Sequence, residues 1–536
     1  MMEVKLFQTL SVLLFCCSLL SCSVVRNELD LSRVMATGAP KKAVIRGHID
    51  LMGKTLSLPE GCWLVFKSGS IANAKVEFNK NRITGNVQFV NCNYSGRISL
   101  KQIDDRCFTS KDDAGTLKFL LTNAILNGSK CDFYRDYHID MNAVRGGLVS
   151  LKELDSGADI AFHDCTICNT TAFSKRTIRP VIMLRNVKNV TIRNCSFFDA
   201  VEHNSHLFTK SSGCCFLRCL GDCESINLYN CRQENGDCFL RSGVYVHDNN
   251  SPEDTPRRGL TNSTLQVTSV NTGYGLALYC GENLKIDVNA ICPHRGLYCT
   301  GVSNSTINYK GYKPLETKCH ILIKDAVYRR VDERGNEVLD MKGCHDLVIN
   351  AYLDEVFQSE SVILFNSYGS GKKEGADFTF RSGPCHHYDI DFSAIINRSP
   401  ESGYYFISRF LSESGSTGDY DIYGCISTGI RIHDVKCLSG KARPYMCDYG
   451  DNNEADVEVV NCHVTPYNEE LGYGFDYLVK GNSTGKVRVS KSIMGSVLVR
   501  DKKVGKFDVV VEDVPVTRSI NYINDDSSRK LVRVVK

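Results

Sequence analysis

Three short stretches decide how this chain folds: NSTLQV at Asn262–Val267, NLKIDV at Asn283–Val288 and NSTINY at Asn304–Tyr309. Leu265, Ile286 and Ile307 stand 21 residues apart, as do Val267, Val288 and Tyr309. Within each stretch apolar and polar residues alternate, the pattern of a short strand with one buried face. A fixed period of this length belongs to a solenoid, in which each coil buries its apolar face only by stacking on its neighbours. β-Branched residues, Gly and Asn dominate, and no amphipathic helix fits within the repeat. The stretch therefore predicts a parallel β-helix rather than leucine-rich or helical repeats.

The pattern extends in both directions. Upstream stand TLSLP from Thr55, CWLVF from Cys62, AKVEF from Ala74 and NVQFVNC from Asn86. Closer to the repeat and beyond it come NVTIRNCSF from Asn189, SINLYNC from Ser225, DLVINAYL from Asp346, YDIDFSAI from Tyr388, DVEVVNC from Asp456 and KFDVVV from Lys506. Coils are thus expected over 41–516, with 517–536 a polar cap or tail. Polar, Gly-rich inserts at Val246–Arg258, Val327–Lys342 and Ser367–Pro384 read as loops projecting from the solenoid. One helix is expected at about 113–127. Asp112 or Asp113 caps it, Leu117, Leu120, Leu121, Ala124 and Ile125 form its apolar face, and Gly128 stops it.

A chain of 536 residues would ordinarily hold two or three globular domains, but a solenoid core grows along one axis and needs no such division. The net charge of +3 and the lack of a basic cluster interleaved with aromatics give no sign of a nucleic-acid partner. The first residues, MMEVKLFQTLSVLLFCCSLLSC, hold Lys5 and then an apolar run from Leu6 to Leu20, which reads as a secretory signal over 1–21. The run ends in Leu19-Leu20-Ser21-Cys22, which resembles a bacterial lipobox. That resemblance implies lipid on Cys22, a tether over 22–40 and an outer-membrane location; an ordinary cleaved signal is the alternative.

Of 26 Cys, those left after Cys16, Cys17 and Cys22 are set aside are odd in number and show no disulfide framework. Many share one context: Asn91-Cys92, Asp164-Cys165, Asn194-Cys195, Asn230-Cys231, Gly424-Cys425 and Asn461-Cys462. Each pair reads as a turn residue, whose amide can stack on its equivalent in the next coil, followed by an inward thiol that fills core.

Three N-terminal segments carry a resemblance to a known family: GKTLSLPEGCWLVFKSGSIANAKVEF from Gly53, DDAGTLKFLLTNAIL from Asp112 and CDFYRDYHID from Cys131. Together they resemble the opening of pectate-lyase-superfamily right-handed β-helix proteins, with Asp112-Asp113 as that family's acidic pair and Arg135-Asp136 where a Pro-Gly turn is usual. The resemblance implies a single-stranded right-handed parallel β-helix with a polysaccharide groove along its strands. Elimination across a uronic acid would need cations on the carboxylate, a base and an acid; hydrolysis would need paired carboxylates.

The residues offer several candidates for that chemistry. Asn235-Gly236-Asp237-Cys238 resembles the polygalacturonase Asp-Asp-Cys segment, which implies an acid role for Asp237. Gly236 replaces the first Asp, and that family's Gly-His-Gly motif is absent; a turn carboxylate bonding backbone amides is the structural reading. His433 within Gly429–Cys437 stands where that family has a Lys. His294, Arg295 and Tyr298, with Lys318 and His320 about one coil later, can supply base, clamp and acid; against this, His294 and Arg295 also suit a solvated turn. His203 and His206 with Cys214, Cys215, Cys219 and Cys223 are a zinc candidate at unusual spacing, or interior thiols. Asp104-Asp105 and Asp354-Glu355 are calcium candidates, or plain surface. The expected function is that of an exported polysaccharide lyase or glycoside hydrolase acting on an anionic polysaccharide. The alternative is a non-catalytic glycan-binding or adhesin-type surface protein.

Overall fold

The computed structural model describes residues 22–36, 42–144, 146–171, 178–200, 213–243, 256–312, 319–324, 326–354, 361–368, 387–398, 405–413, 426–437, 442–448, 454–460, 473–480, 484–490, 494–502, 507–512, 516–524 and 532–535. The chain is an all-β parallel β-helix. It divides into two compact units, one of 1–140, 154–170 and 189–196, the other of 141–153, 171–188 and 197–536.

In the smaller unit, Cys22–Val25, Lys42–Ile45, Trp63–Phe66 and the end of Lys75–Gly85 lie side by side as parallel strands in register. Its interior is lined with aromatic rings, Phe66 against Phe89 at 5.1 Å and Phe89 against Phe108 at 5.6 Å. The expected helix spans Asp113–Asn127: the Asp112 carboxylate accepts from the Gly115 N–H at 2.9 Å, and Gly128 ends it in the left-handed conformation. Leu117, Leu120, Leu121, Ala124 and Ile125 are all buried, so the apolar face is the one the sequence shows.

The segment expected as a tether is structured instead. Cys22–Val25 pairs with Lys42–Ile45, and a second helix, Glu28–Ala36, follows at once. Asn27 accepts from the Asp30 N–H while Asp30 accepts from the Arg26 N–H, satisfying donors at the start of the helix. Val25, Leu31 and Val34 are buried. Two apolar contacts per helix are too few for a periodicity signal, which is why the segment reads as polar.

In the larger unit the strands form two parallel series. One runs through Cys223–Glu234, Thr264–Val270, Lys285–Ile291, the second half of Arg295–Tyr312, His345–Asp354, His387–Arg398, Ile426–Cys437, Glu454–Val460, Thr484–Ser490, Phe507–Glu512 and Val532–Val535. Leu265, Ile286 and Ile307 sit in register on adjacent strands, fully or almost fully buried, as the repeat requires. The other series includes Gly213–Leu220, Cys238–Ser242, Tyr274–Glu282, the first half of Arg295–Tyr312, Cys319–Lys324 and Ser361–Tyr368, and continues to Val516–Asn524. Coils therefore continue through the expected C-terminal cap, because Val516–Asn524 and Val532–Val535 both pair in parallel with strands one coil back.

Of the expected inserts, 327–342 is an antiparallel hairpin, Ala326–Val331 against Glu337–Lys342. Asp332 accepts from the Arg334 and Asn336 N–H groups, and Gly335 takes a positive φ in its turn. Most of 246–258 and 367–384 lies outside the described residues, as does the whole segment 1–21. Among the described residues no helix is long and apolar enough to cross a membrane.

The Asn-Cys turns behave as their chemistry suggests. Asn91, Asp164, Asn194 and Asn230 all have φ near +50°, which Asn and Asp tolerate better than other side-chain-bearing residues, and the Cys after each is buried. Side-chain amides join successive turns, Asn91 to Asn73 at 2.6 Å and Asn271 to Asn235 at 2.8 Å. Cys425 and Cys462 lie outside the described residues.

Candidate functional site

The expected cluster around His294 is divided between the surface and the interior. Arg295 is exposed, its guanidinium 5.9 Å from the Tyr274 ring, and its N–H donates to the Gly273 carbonyl at 3.0 Å. His294 is half-buried, with its N–H on the Thr272 carbonyl at 2.8 Å. Tyr298, only 4% exposed, packs against Tyr274 and Tyr279 with ring centroids 5.7 and 5.2 Å away. His320 is fully buried, its Nδ1 3.3 Å from the Tyr309 hydroxyl. A side chain at Gly296 would strike the same Tyr309 hydroxyl, and one at Gly311 would strike His320 Nδ1 at 2.8 Å. His320 is thus a core histidine and not a partner of Arg295. Lys318 lies outside the described residues.

Asp237 is also interior. Its carboxylate accepts from Arg241 Nη1 at 3.2 and 3.0 Å and from the Cys238 thiol at 3.3 Å. Its own N–H donates to the Cys214 carbonyl at 2.9 Å, and its carbonyl accepts from the Tyr274 N–H at 2.8 Å. Arg241, 9% exposed, lies 5.4 Å from the Tyr274 ring and 5.7 Å from that of Tyr279. Burial alone would lower the Arg241 pKa, but the Asp237 carboxylate and then the Tyr279 phenol push it the other way, and the guanidinium ends well above its ordinary value. Burial, then the Asp237 charge, pushes the neighbouring Cys215 thiol up to about 12. These groups form a buried ion pair in a jacket of Tyr and Cys, the surroundings of a structural element.

Gly at position 236, where the resembling segment has Asp, has a visible cause in this structure. Gly236 has φ +73°, and a Cβ there would meet the Asp199 carboxylate and the Cys214 carbonyl. Asp199, which the sequence did not single out, fills this space and accepts from the Cys214 N–H at 2.6 Å. It is fully buried. The acid role expected for Asp237 is therefore not supported by its surroundings.

Among the described residues the metal candidates do not assemble. Asp104 is held by Arg106 through Nε at 3.0 Å and Nη2 at 2.7 Å. Asp105 turns inward to accept from the Tyr134 N–H at 3.0 Å and the Tyr137 hydroxyl at 3.1 Å. Asp104 ends a strand and Asp105 begins a 3-10 turn, and with one carboxylate held by Arg106 and the other turned inward the pair is not set to share a cation. His203, His206 and Glu355 lie outside the described residues. Among the described residues no group of three His, Cys, Asp or Glu converges as a metal site.

Polar side chains do come together on the outward face of the strand series that begins at Cys223–Glu234. Register aligns Gln266, Asp287, Asn308, Asn350, Ser393 and His433 in one column across six coils. Asn308 donates to Asp287 at 2.7 Å, Asn350 to Asn308 at 3.3 Å, and Ser393 to Asn350 at 3.0 Å. Asp287, Asn308 and Asn350 are exposed. Lys285 stands in the column on one side and Lys310 in the column on the other, both exposed. Coils repeat about every 4.8 Å, so the face is a ladder of donors and acceptors at regular steps.

The ladder ends at a charged group. His433 Nδ1 is 2.7 Å from Asp434, and its Nε2 is 2.6 Å from Asp391, an ion-pair contact in poor alignment for a hydrogen bond. Arg431 lies 3.3 Å from Glu458 and 3.9 Å from Asp391. Two carboxylates thus bracket one half-exposed imidazole. Sequence reading noted His433 but not Asp391 or Asp434; the adjacency comes from strand register, with Asp391 opposite Arg431 and Ser393 opposite His433.

No family model matches the chain, and no curated protein matches it in sequence. Solved structures similar to it include the catalytic domain of a GH87 α-1,3-glucanase in complex with tetrasaccharides, at 12% identity over 96% of this chain and 68% of that one, TM-score 0.28. The tailspike protein of E. coli bacteriophage HK620, in complex with pentasaccharide, matches at 12% identity over 95% of this chain and 76% of that one, TM-score 0.31. PfbA, a surface adhesin of Streptococcus pneumoniae, matches at 9% identity over 93% of this chain and 91% of that one, TM-score 0.28. At these identities and TM-scores the similarity carries no argument about the site, which rests on its own geometry.

Proposed function

We propose that the protein is exported, anchored through lipid on Cys22, and binds an extended anionic polysaccharide along the ladder from Gln266 to His433. The observation that carries this reading is the ladder itself: exposed amide, carboxylate and hydroxyl groups in register, offering a hydroxyl-rich polymer a regular series of partners. Lys285 and Lys310, which make no ion pair among the described residues, would face its carboxylates. The test is a titration of the purified chain with uronic-acid and neutral polysaccharides. Binding of a polyuronate, weakened by removing both Lys285 and Lys310, is the expected result; no binding to any member of the panel would overturn it.

A second reading, cleavage of the same polymer by elimination or hydrolysis, is favoured by one observation, the bracketing of His433 by Asp391 and Asp434. A carboxylate-bound imidazole can hold or release a proton beside a bound sugar. Cleavage at this group predicts an unsaturated product absorbing in the ultraviolet, or new reducing ends, lost in His433→Ala. Binding without either product leaves the first reading alone.

A further inference from the structure

The N-terminal end of the smaller unit carries an apolar surface that its position explains. Cys22 is exposed and is the first residue of a strand already hydrogen-bonded into the coil, in register with Lys42. Close to it in sequence Val24 is 43% and Leu29 58% exposed, while Val25 and Leu31 are buried. Met52, in the turn of the first full coil, is 79% exposed. The Glu28–Lys54 ion pair, 2.5 Å, brings the start of the Glu28–Ala36 helix against that turn, so Leu29 and Met52 belong to one surface. Arg26 and Arg33 are exposed on the same segment. In sequence, the apolar run Leu6–Leu20 ends two residues before Cys22, with Ser21 between.

We propose that this end of the β-helix docks directly on an anionic lipid bilayer, with Val24, Leu29 and Met52 in the interfacial layer and the basic side chains at the headgroups. The inference rests on the lipid-anchor part of the proposed function and adds that no spacer separates anchor from fold. An acyl group on Cys22 would leave the first coil no slack, because the strand starts at the acylated residue. Exposed apolar side chains on a segment that also carries Arg26 and Arg33 suit a lipid surface better than open water.

The chain contains its own probe. Trp63 is the sole tryptophan, and it lies two strands from Cys22 in one register column, Cys22–Lys42–Trp63–Arg82, or about 10 Å at the usual strand spacing. Lys42 Nζ is 4.5 Å and Arg82 Cζ 4.6 Å from its ring, and its indole N–H donates to Thr84 at 2.8 Å, so the ring is held in place.

The experiment uses the full chain, produced with labelled palmitate, purified and placed in phosphatidylglycerol vesicles whose headgroups carry a nitroxide quencher. The expected result is label on Cys22 and loss of most Trp63 emission. The variant Leu29→Glu with Met52→Glu should keep the label and recover the emission. Label with unquenched Trp63 would overturn the docked end while the anchor stands. Lack of label on Cys22 would overturn both.

Discussion

The larger unit has two places in which carboxylates meet cations, and they have opposite surroundings. Around Asp237 and Arg241 the pair is sealed by Tyr274, Tyr279, Tyr298, Cys215 and Cys238, all buried. Around Asp391 and His433 the same kinds of group stand half-exposed at the end of an open ladder. A sealed pair is costly to break on one side only, whereas an exposed one adds little stability and can exchange protein partners for those of a ligand. The Asp237 segment that resembles a catalytic motif belongs to the sealed pair, and of the open ladder the sequence analysis singles out His433 alone.

The largest expected effect breaks the sealed pair. Arg241→Ala leaves the Asp237 carboxylate buried and alone, and should lower unfolding free energy by about 3–5 kcal/mol in a denaturant titration. Joint replacement, Arg241→Met with Asp237→Leu, should recover most of that loss. A single substitution with no measurable effect would show that the site is open to water after all.

Next comes the interior next to it. Gly296→Ala places a methyl group against the Tyr309 hydroxyl and the His320 carbonyl, and should cost about 1–3 kcal/mol. A neutral outcome would mean that His320 is not packed where the core account puts it.

Alkaline pH should act around the sealed pair and spare the ladder. Burial, followed by charge, holds Cys215 near 12, and burial holds Cys280 near 12, against about 8.5 for a free thiol. A thiol whose folded pKa is raised stabilises fully below its unfolded pKa, and that contribution disappears as pH climbs towards the folded value. Thermal stability should therefore fall between about pH 8.5 and 12, and the fall should be shallower in Cys215→Ala. A flat profile over this range would contradict the burial.

The smallest effect on stability is expected on the open surface. Asn308→Ala with Asn350→Ala should change unfolding free energy by no more than about 0.5 kcal/mol. The ladder bonds they remove are solvent-exposed, and water replaces them.

How far the sequence reveals this molecule follows from the same geometry. The coil repeat is legible because Leu265, Ile286 and Ile307 must stack, and Asp112 and Gly128 mark their helix by side-chain chemistry alone. Side-chain direction is harder. In the strands Gly213–Leu220 and Cys238–Ser242 the period-two signal fails because both faces are buried: Phe216 and Leu217, and Phe239 and Leu240, are consecutive and all fully buried. Where a strand series is buried on both faces, a polar residue on it need not face a groove, which is how Asp237 and His320 look like groove residues. The Glu28–Ala36 helix is missed for another reason, since two apolar contacts on a polar segment leave no periodic signal. The pairing of Asp391 with His433 depends on which coils adjoin, and a loop of any length can intervene without altering it.

The claim on which the functional account depends is that the open ladder, not the Arg241 region, receives the polysaccharide. A binding isotherm for the best polyuronate, measured on the wild-type chain, on Asn308→Ala with Asn350→Ala and His433→Ala, and on Arg295→Ala, tests it most directly. The account predicts at least about a tenfold loss for the ladder variant, or about 1.4 kcal/mol, with its melting temperature unchanged, and wild-type affinity for Arg295→Ala. Full affinity in the ladder variant together with loss in Arg295→Ala would contradict it.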